Sequence, residues 1–230
     1  MSREFAGLHI NKLEAAHLRH IGGMRAGWHT MLDPAQGQVA EVKAADPGCK
    51  VLDRTYIRDQ DYHARVWQNP EQAGQWAAGV ALAAAGKNPQ ADAHIIQNEP
   101  PADSIEWIRK IARADIAFME AMHAQGRKGA IGAWSGGTLQ LPSIDGGAAI
   151  RAYVPTLAKA KELGCPLVVH AYSPLTLFMG GTAPSGWDYN PLYFLTRWRE
   201  IVAWCRANGV AIGNFFYSEW GQDLGFAKPH

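Results

Sequence analysis

Residues 93–100 read Ala93-His94-Ile95-Ile96-Gln97-Asn98-Glu99-Pro100. A short, mostly apolar run ends in an amide, a carboxylate and a proline. Strands of a parallel sheet covered by helices on both faces read this way. Six other β-rich runs share the pattern: Phe5–Ile10, Ala26–Leu32, Lys50–Ile57, Gly129–Trp134, Pro166–Tyr172 and Ala211–Tyr217. Longer segments of helical period separate them. From Ser104 to Gln125, apolar residues at Ile105, Ile108, Ile111, Ala112, Ile116, Met119 and Met122 form one stripe. Ser104 is placed to cap that helix and Gly126 to end it. A second stripe, Ile150, Tyr153, Val154, Leu157, Ala158 and Leu163, closes at Gly164. A third, Leu192, Leu195, Trp198, Ile201, Val202 and Cys205, closes at Gly209.

Seven strand-like runs alternating with helices predict an α/β chain with a parallel sheet. The sheet is either open and doubly wound or a (β/α)8 barrel of the TIM type. A barrel of this kind needs an eighth strand and about 250 residues. The chain has 230, and the tail 221–230 is too short for a further unit. The expectation is a single domain over residues 1–230, TIM-barrel-like and apparently lacking its eighth βα unit. The unpaired edges would then meet a second copy, as a homodimer, or a missing C-terminal segment. The segment 176–191, rich in Gly, Pro and Ser, is expected to be a loop after the sixth run.

Composition narrows the function. Lys plus Arg is 22 and Asp plus Glu is 21, for a net charge of +1. That balance argues against a nucleic-acid partner. The longest apolar stretch, 76–85, falls far short of the roughly 20 residues that cross a bilayer, so no membrane partner is expected. Met1–Gly7 has no apolar leader core, and a soluble chain of undetermined compartment is expected. Cys49, Cys165 and Cys205 are odd in number and form no CxxC, which points away from a disulfide framework or structural zinc. His9, His20, His29 and His63 are scattered, no HxH or HExxH occurs, and there is no GxGxxG after the first run and no P-loop. No metal and no cofactor are expected.

In parallel α/β folds the chemistry sits at the C-terminal strand ends. The fourth run delivers Asn98-Glu99-Pro100 and the seventh delivers Ser218-Glu219-Trp220-Gly221, so two glutamates reach one edge of the sheet. Two carboxylates facing one bond are what glycosidic cleavage needs. One donates a proton to the leaving oxygen, and the other stabilises or attacks the oxocarbenium-like carbon.

Asn98-Glu99-Pro100 after the fourth strand, with Glu219 on the seventh, resembles the clan of retaining glycoside hydrolases built on (β/α)8 barrels. The resemblance spans about Phe5 to Gly221. It implies Glu99 as general acid/base, Asn98 as the contact to the sugar 2-hydroxyl and Glu219 as nucleophile. His170-Ala171-Tyr172 is similar to a His-x-Tyr of many clan members, in which the Tyr hydrogen-bonds the nucleophile and the His lines the site. Arg54 resembles the Arg that steadies the nucleophile, although its strand matches less well. The eighth strand, which often brings a Trp to the sugar floor, is missing here, and Trp220 or Trp187 would have to substitute. Glu99 is expected to be raised in pKa by apolar walls such as Trp134 and by the charge of Glu219. Hydrogen bonds from Tyr172 and the charge of Arg54 would hold Glu219 ionised.

The implied activity is double-displacement hydrolysis of O-glycosidic bonds in a poly- or oligosaccharide. Trp28, Tyr56, Trp134, Tyr172 and Trp220 stand near strand ends, and their faces suit sugar C–H surfaces. A non-catalytic carbohydrate-binding barrel remains open as an alternative. A serine hydrolase using Ser135 in Ala133-Trp134-Ser135-Gly136-Gly137 is a weaker one. It lacks an upstream His-Gly-Gly and would leave only the terminal His230 in triad order.

Overall fold

The computed structural model describes residues 8–135, 138–174 and 197–223; over 171–174 and 216–223 it describes the strand backbone. The fold is mixed α/β, and every strand pairing among the described residues is parallel. Strands β1 (His9–Ile10), β2 (Trp28–Leu32), β3 (Lys50–Arg54) and β4 (Ala93–Ile95) form one sheet in sequence order. Strands β5 (Ile131–Trp134), β6 (Leu167–Pro174) and β7 (Phe215–Asp223) form a second in the same manner. A bridge between His94 and Gly129 joins β4 to the start of β5. Each predicted run therefore contains a strand. Residues 1–7, 136–137, 175–196 (with Trp187 and the stripe residues Leu192 and Leu195) and 224–230 lie outside the described residues.

The seventh run needs correction. Its strand begins at Phe215 and continues to Asp223, so Glu219 lies within β7 rather than after it. Asn214 still serves the sheet, because its carbonyl accepts the Leu167 N–H. The 211–217 pattern stopped short because Ser218, Glu219 and Gly221 are poor strand formers by composition. Pairing with β6 overrides that preference.

The helices are α1 (Ala15–Met24), α2 (Gln38–Ala45), α3 (Asp59–Gln68), α4 (Pro70–Lys87), α5 (Ile105–Ala124), α6 (Pro142–Asp145), α7 (Ala148–Leu163) and α8 (Trp198–Ala207). Among the described residues none is long and apolar enough to cross a membrane. The Ser104 hydroxyl caps α5 by accepting the Trp107 N–H at 3.1 Å, as the sequence indicates. Asn69 caps α4, with Pro70 in the first helical position. The start of α7 was not legible: Asp145, ending α6, accepts the N–H groups of Gly147, Ala148 and Ala149 at 2.7–3.1 Å.

Two layers follow from strand alternation. Leu52, Ala93, Ile95, Ala130, Ala133 and Val168 cluster on one face of the sheets. On the other face Ile96, Ile131, Leu167 and Val169 meet α4, α5 and α7 in the largest apolar cluster. Helix α4 buries Ala73, Gly74, Ala77, Ala78, Ala81 and Ala85, a stripe of small residues that lets it lie close against α5. A Cβ on Gly74 would run into the Ala114 carbonyl and approach the Phe118 nitrogen to 2.9 Å. Gly79, on the same helix, is exposed and faces open space. Gly74→Ala should therefore lower stability by at least about 2 kcal/mol through overpacking. Gly79→Ala should raise it by about 0.5–1 kcal/mol through reduced unfolded-state entropy. Urea denaturation of the two variants checks both signs.

Candidate active site

The break between the two sheets is where the candidate site forms. In the β5–β6 register Gly132 pairs with Val168 and Trp134 with Val169, so Ala133 is an extra residue in β5. This bulge puts Gly132 at φ +91° and Ala133 at φ +44°. Only glycine fits the first position: a Cβ there would meet the Val168 carbonyl oxygen at 2.7 Å and the Leu167 side chain at 2.8 Å. The Ala133 carbonyl accepts the Glu99 N–H at 2.9 Å, and Glu99 itself sits at φ +41°. A left-handed conformation costs a non-glycine residue about 1–2 kcal/mol, so both residues are held there by their surroundings. The buried Gln97 amide donates to the Gly132 carbonyl at 3.0 Å, standing in for a ladder donor that the break removes.

Glu99 is thus turned toward β6. Its Oε1 lies 3.3 Å from Nδ1 of His170, a side chain with about 1% of its surface exposed. Glu99 keeps about a third of its side chain exposed. His170 in turn is paired with Glu219 in the β6–β7 register. Val169 pairs with Tyr217 and His170 with Glu219, so Ser218 is the extra residue of a second bulge. Tyr172 stands opposite Gly221 and Trp220 opposite Ala171. His170 and Glu219 stand at paired positions on the adjoining strands β6 and β7, with Tyr172 and Trp220 further along the same two strands, and Glu99 reaches His170 from the turn after β4.

Asn98 is half-buried, and its amide lies 3.5 Å from the carboxylate of Asp59, the first residue of α3. Burial pushes the pKa of nearby His63 down, and the Asp59 charge partly opposes this. Arg54 ends β3 opposite Ile95, one strand from Glu99, and its carbonyl accepts the Asp33 N–H. The structure does not bring Trp134 to this group. Its ring is fully buried on the helix side and meets Tyr153 edge-on, with centroids 5.1 Å apart. Trp28 packs half-buried against the small-residue face and Tyr56 is exposed. The Ser135 hydroxyl is hydrogen-bonded to Thr138 Oγ1 at 3.1 Å within its own loop, while His170 faces Glu99.

Several contributors were missed in the sequence. Asp115 falls on the apolar stripe of α5, one turn after Ile111, and that misplaced charge is the signal that could have found it. Fully buried, it accepts a hydrogen bond from the Tyr153 hydroxyl, and the Gly132 N–H favours its ionised form. Asp53 and His94, registered partners on β3 and β4, are buried 3.5 Å apart. His29, Asp46 and Cys49 bring three potential metal-ligating atoms within 4.8 Å of one another, with no spacing motif to announce them. There His29 Nδ1 accepts the Leu8 N–H at 3.0 Å. A neutral ring then carries its proton on Nε2, which suits donation to a neighbour better than ligation of a metal. Cys49, Cys165 and Cys205 are buried and form no disulfide with one another.

The chain matches no protein-family model and no curated protein.

Burial pushes the Asp115 carboxyl up from 3.8 to about 7, against the hydrogen bonds from Tyr153 and Gly132. The folded state then binds this proton more tightly than the unfolded chain. Its contribution to stability is fully present below about pH 4 and is lost as pH rises through about 7. The stability of the parent chain minus that of Asp115→Asn should accordingly fall between pH 4 and pH 8, by on the order of a few kcal/mol. Urea midpoints of both proteins across that range read the difference directly.

Proposed function

We propose that this chain is a retaining glycoside hydrolase acting on O-glycosidic bonds of a poly- or oligosaccharide. In this reading its two parallel sheets are parts of one (β/α)8-like barrel. The observation that carries the reading is the contact of Glu99 with His170 at 3.3 Å, with His170 paired to Glu219 on the next strand. Glu219 is thus registered, on the next strand, beside the histidine that Glu99 contacts. A pair of carboxylates about 5–5.5 Å apart is what the retaining mechanism requires. The barrel reading is supported by strand order and by β7 coming into contact with β2 as well as with β6.

In the first step Glu99 gives its proton to the glycosidic oxygen while Glu219 attacks the anomeric carbon. The leaving group departs as an alcohol and a glycosyl ester forms on Glu219. In the second step Glu99 takes a proton from water, whose oxygen attacks the same carbon and releases Glu219. Asn98 contacts the 2-hydroxyl, Tyr172 and Arg54 support the ionised nucleophile, and Trp220 offers a face to the sugar. His170 holds the Glu99 carboxyl in place between steps.

Aryl glycosides of several sugars test the proposal. With poor leaving groups Glu99→Ala should lose about 10²–10⁴ in rate. With a leaving group that needs no proton it should still form the glycosyl-enzyme but release it slowly, and azide should speed release. Glu219→Ala should be dead at the first step, with azide yielding a product of opposite anomeric configuration. Near parental turnover in both variants would overturn the two-carboxylate assignment. Sugar binding without turnover by the parent chain would establish the non-catalytic alternative.

A further inference from the structure

We infer that Asp115 is a positioning residue for Glu99, acting through the bulge in β5; the catalytic part of this inference rests on the acid/base reading above. The connection runs through a chain of contacts. The Asp115 carboxylate accepts the Tyr153 hydroxyl, and the Gly132 N–H favours its charge. The Gly132 carbonyl accepts the Gln97 amide at 3.0 Å, two residues before Glu99. The next carbonyl, that of Ala133, accepts the Glu99 N–H at 2.9 Å. Glu99 then reaches His170.

The bulge explains why a carboxylate stands in an apolar helix stripe. An extra residue in a parallel strand turns one N–H out of the ladder, toward the helix layer. That N–H is buried and must find an acceptor. Gly132 and Tyr153 both present donors, so the group between them must accept twice. A carboxylate has two acceptor oxygens, whereas an asparagine amide has one and turns a donor toward the other partner. Tyr153 is itself fixed by the edge of Trp134, two residues after Gly132 in the same strand. Helices α5 and α7 therefore grip β5 from outside at the point where its inner side holds Glu99. They are tied to each other by the Thr156 hydroxyl on the Ala112 carbonyl at 3.0 Å. Relaxing this grip shifts the Ala133 carbonyl and lets Glu99 leave its left-handed conformation. The protonating carboxyl then drifts from the leaving oxygen, while the attacking carboxylate on β7 is undisturbed.

A purely structural Asp115 would lower stability and every rate alike. A positioning Asp115 acts on the proton-dependent step. The experiment compares Asp115→Asn and Tyr153→Phe with Met122→Ala, a core truncation on α5 away from the bulge. Two readouts are taken under conditions where all three remain folded. In the first, aryl glycosides with leaving groups of high and low basicity are compared. Asp115→Asn and Tyr153→Phe should lose roughly 10–100-fold in kcat on the basic leaving groups, as for a misplaced catalytic group. They should lose less than about 3-fold on the acidic ones, with KM unchanged, while Met122→Ala shows no such split. In the second, amide hydrogen exchange should show the Glu99 N–H exchanging at least about 10-fold faster in the two variants, with Val168 unchanged. Equal loss on all leaving groups, or unaltered protection of the Glu99 amide, would overturn the inference. If the parent chain cleaves no glycoside, the hydrolase reading fails, and the exchange measurement alone decides whether Asp115 holds Glu99. Tyr153→Phe keeps the test open should Asp115→Asn not fold.

Discussion

The hydrogen bond from the Glu99 N–H to the Ala133 carbonyl spans the place where the β4–β5 ladder is otherwise interrupted. A regular parallel ladder would leave both residues extended and would direct the chain after β4 straight off the sheet. Here both residues are left-handed, and that geometry turns Glu99 toward His170 on β6. It exists because β5 holds one residue more than β6 requires. The glycine before that residue leaves no space for a side chain. Gln97, Asp115 and Tyr153 each satisfy or brace a polar group that the irregularity displaces.

Strain of this kind persists only on a firm support. The support is the packing of α4 and α5, where a stripe of alanines and Gly74 brings two helix backbones together. Trp134 and Tyr153 fill the space between β5 and α7. The opposite face of the sheets is lined by Ala93, Ala130 and Ala133 together with Leu52, Ile95, Val168 and Trp28. Trp134 is useful to the site as packing behind the bulge, not as a surface for a ligand.

The hydrolase reading rests on residues at strand positions, since no family of known proteins matches the chain. Its strength is that Asn98-Glu99, His170 and Glu219 were selected by their places in the sequence pattern. The pairing of β6 with β7 and the turn after β4 then draw three of them together. Asp59 adds a carboxylate beside Asn98 that no motif announces. It comes from the start of α3, about 40 positions earlier in the chain.

The sequence alone determined the alternation of strands and helices, because burial on two faces writes unbroken apolar runs and burial on one face writes stripes of period 3.6. It also placed the Ser104 cap and put Glu99 just beyond the fourth strand, since caps and that strand end are local features. The tertiary structure alone decided what depends on partners distant in the chain. Strand β7 extends through Glu219 because β6 offers it a ladder. Trp134 turns away from the site because a bulge changes which face it occupies, and a bulge is defined by register against a neighbour. Asp115 is tolerated in a core stripe because Gly132 and Tyr153 each supply a donor to it. A one-residue irregularity between strands leaves no periodic trace in composition, yet it sets the direction of the carboxyl on which the proposed chemistry turns.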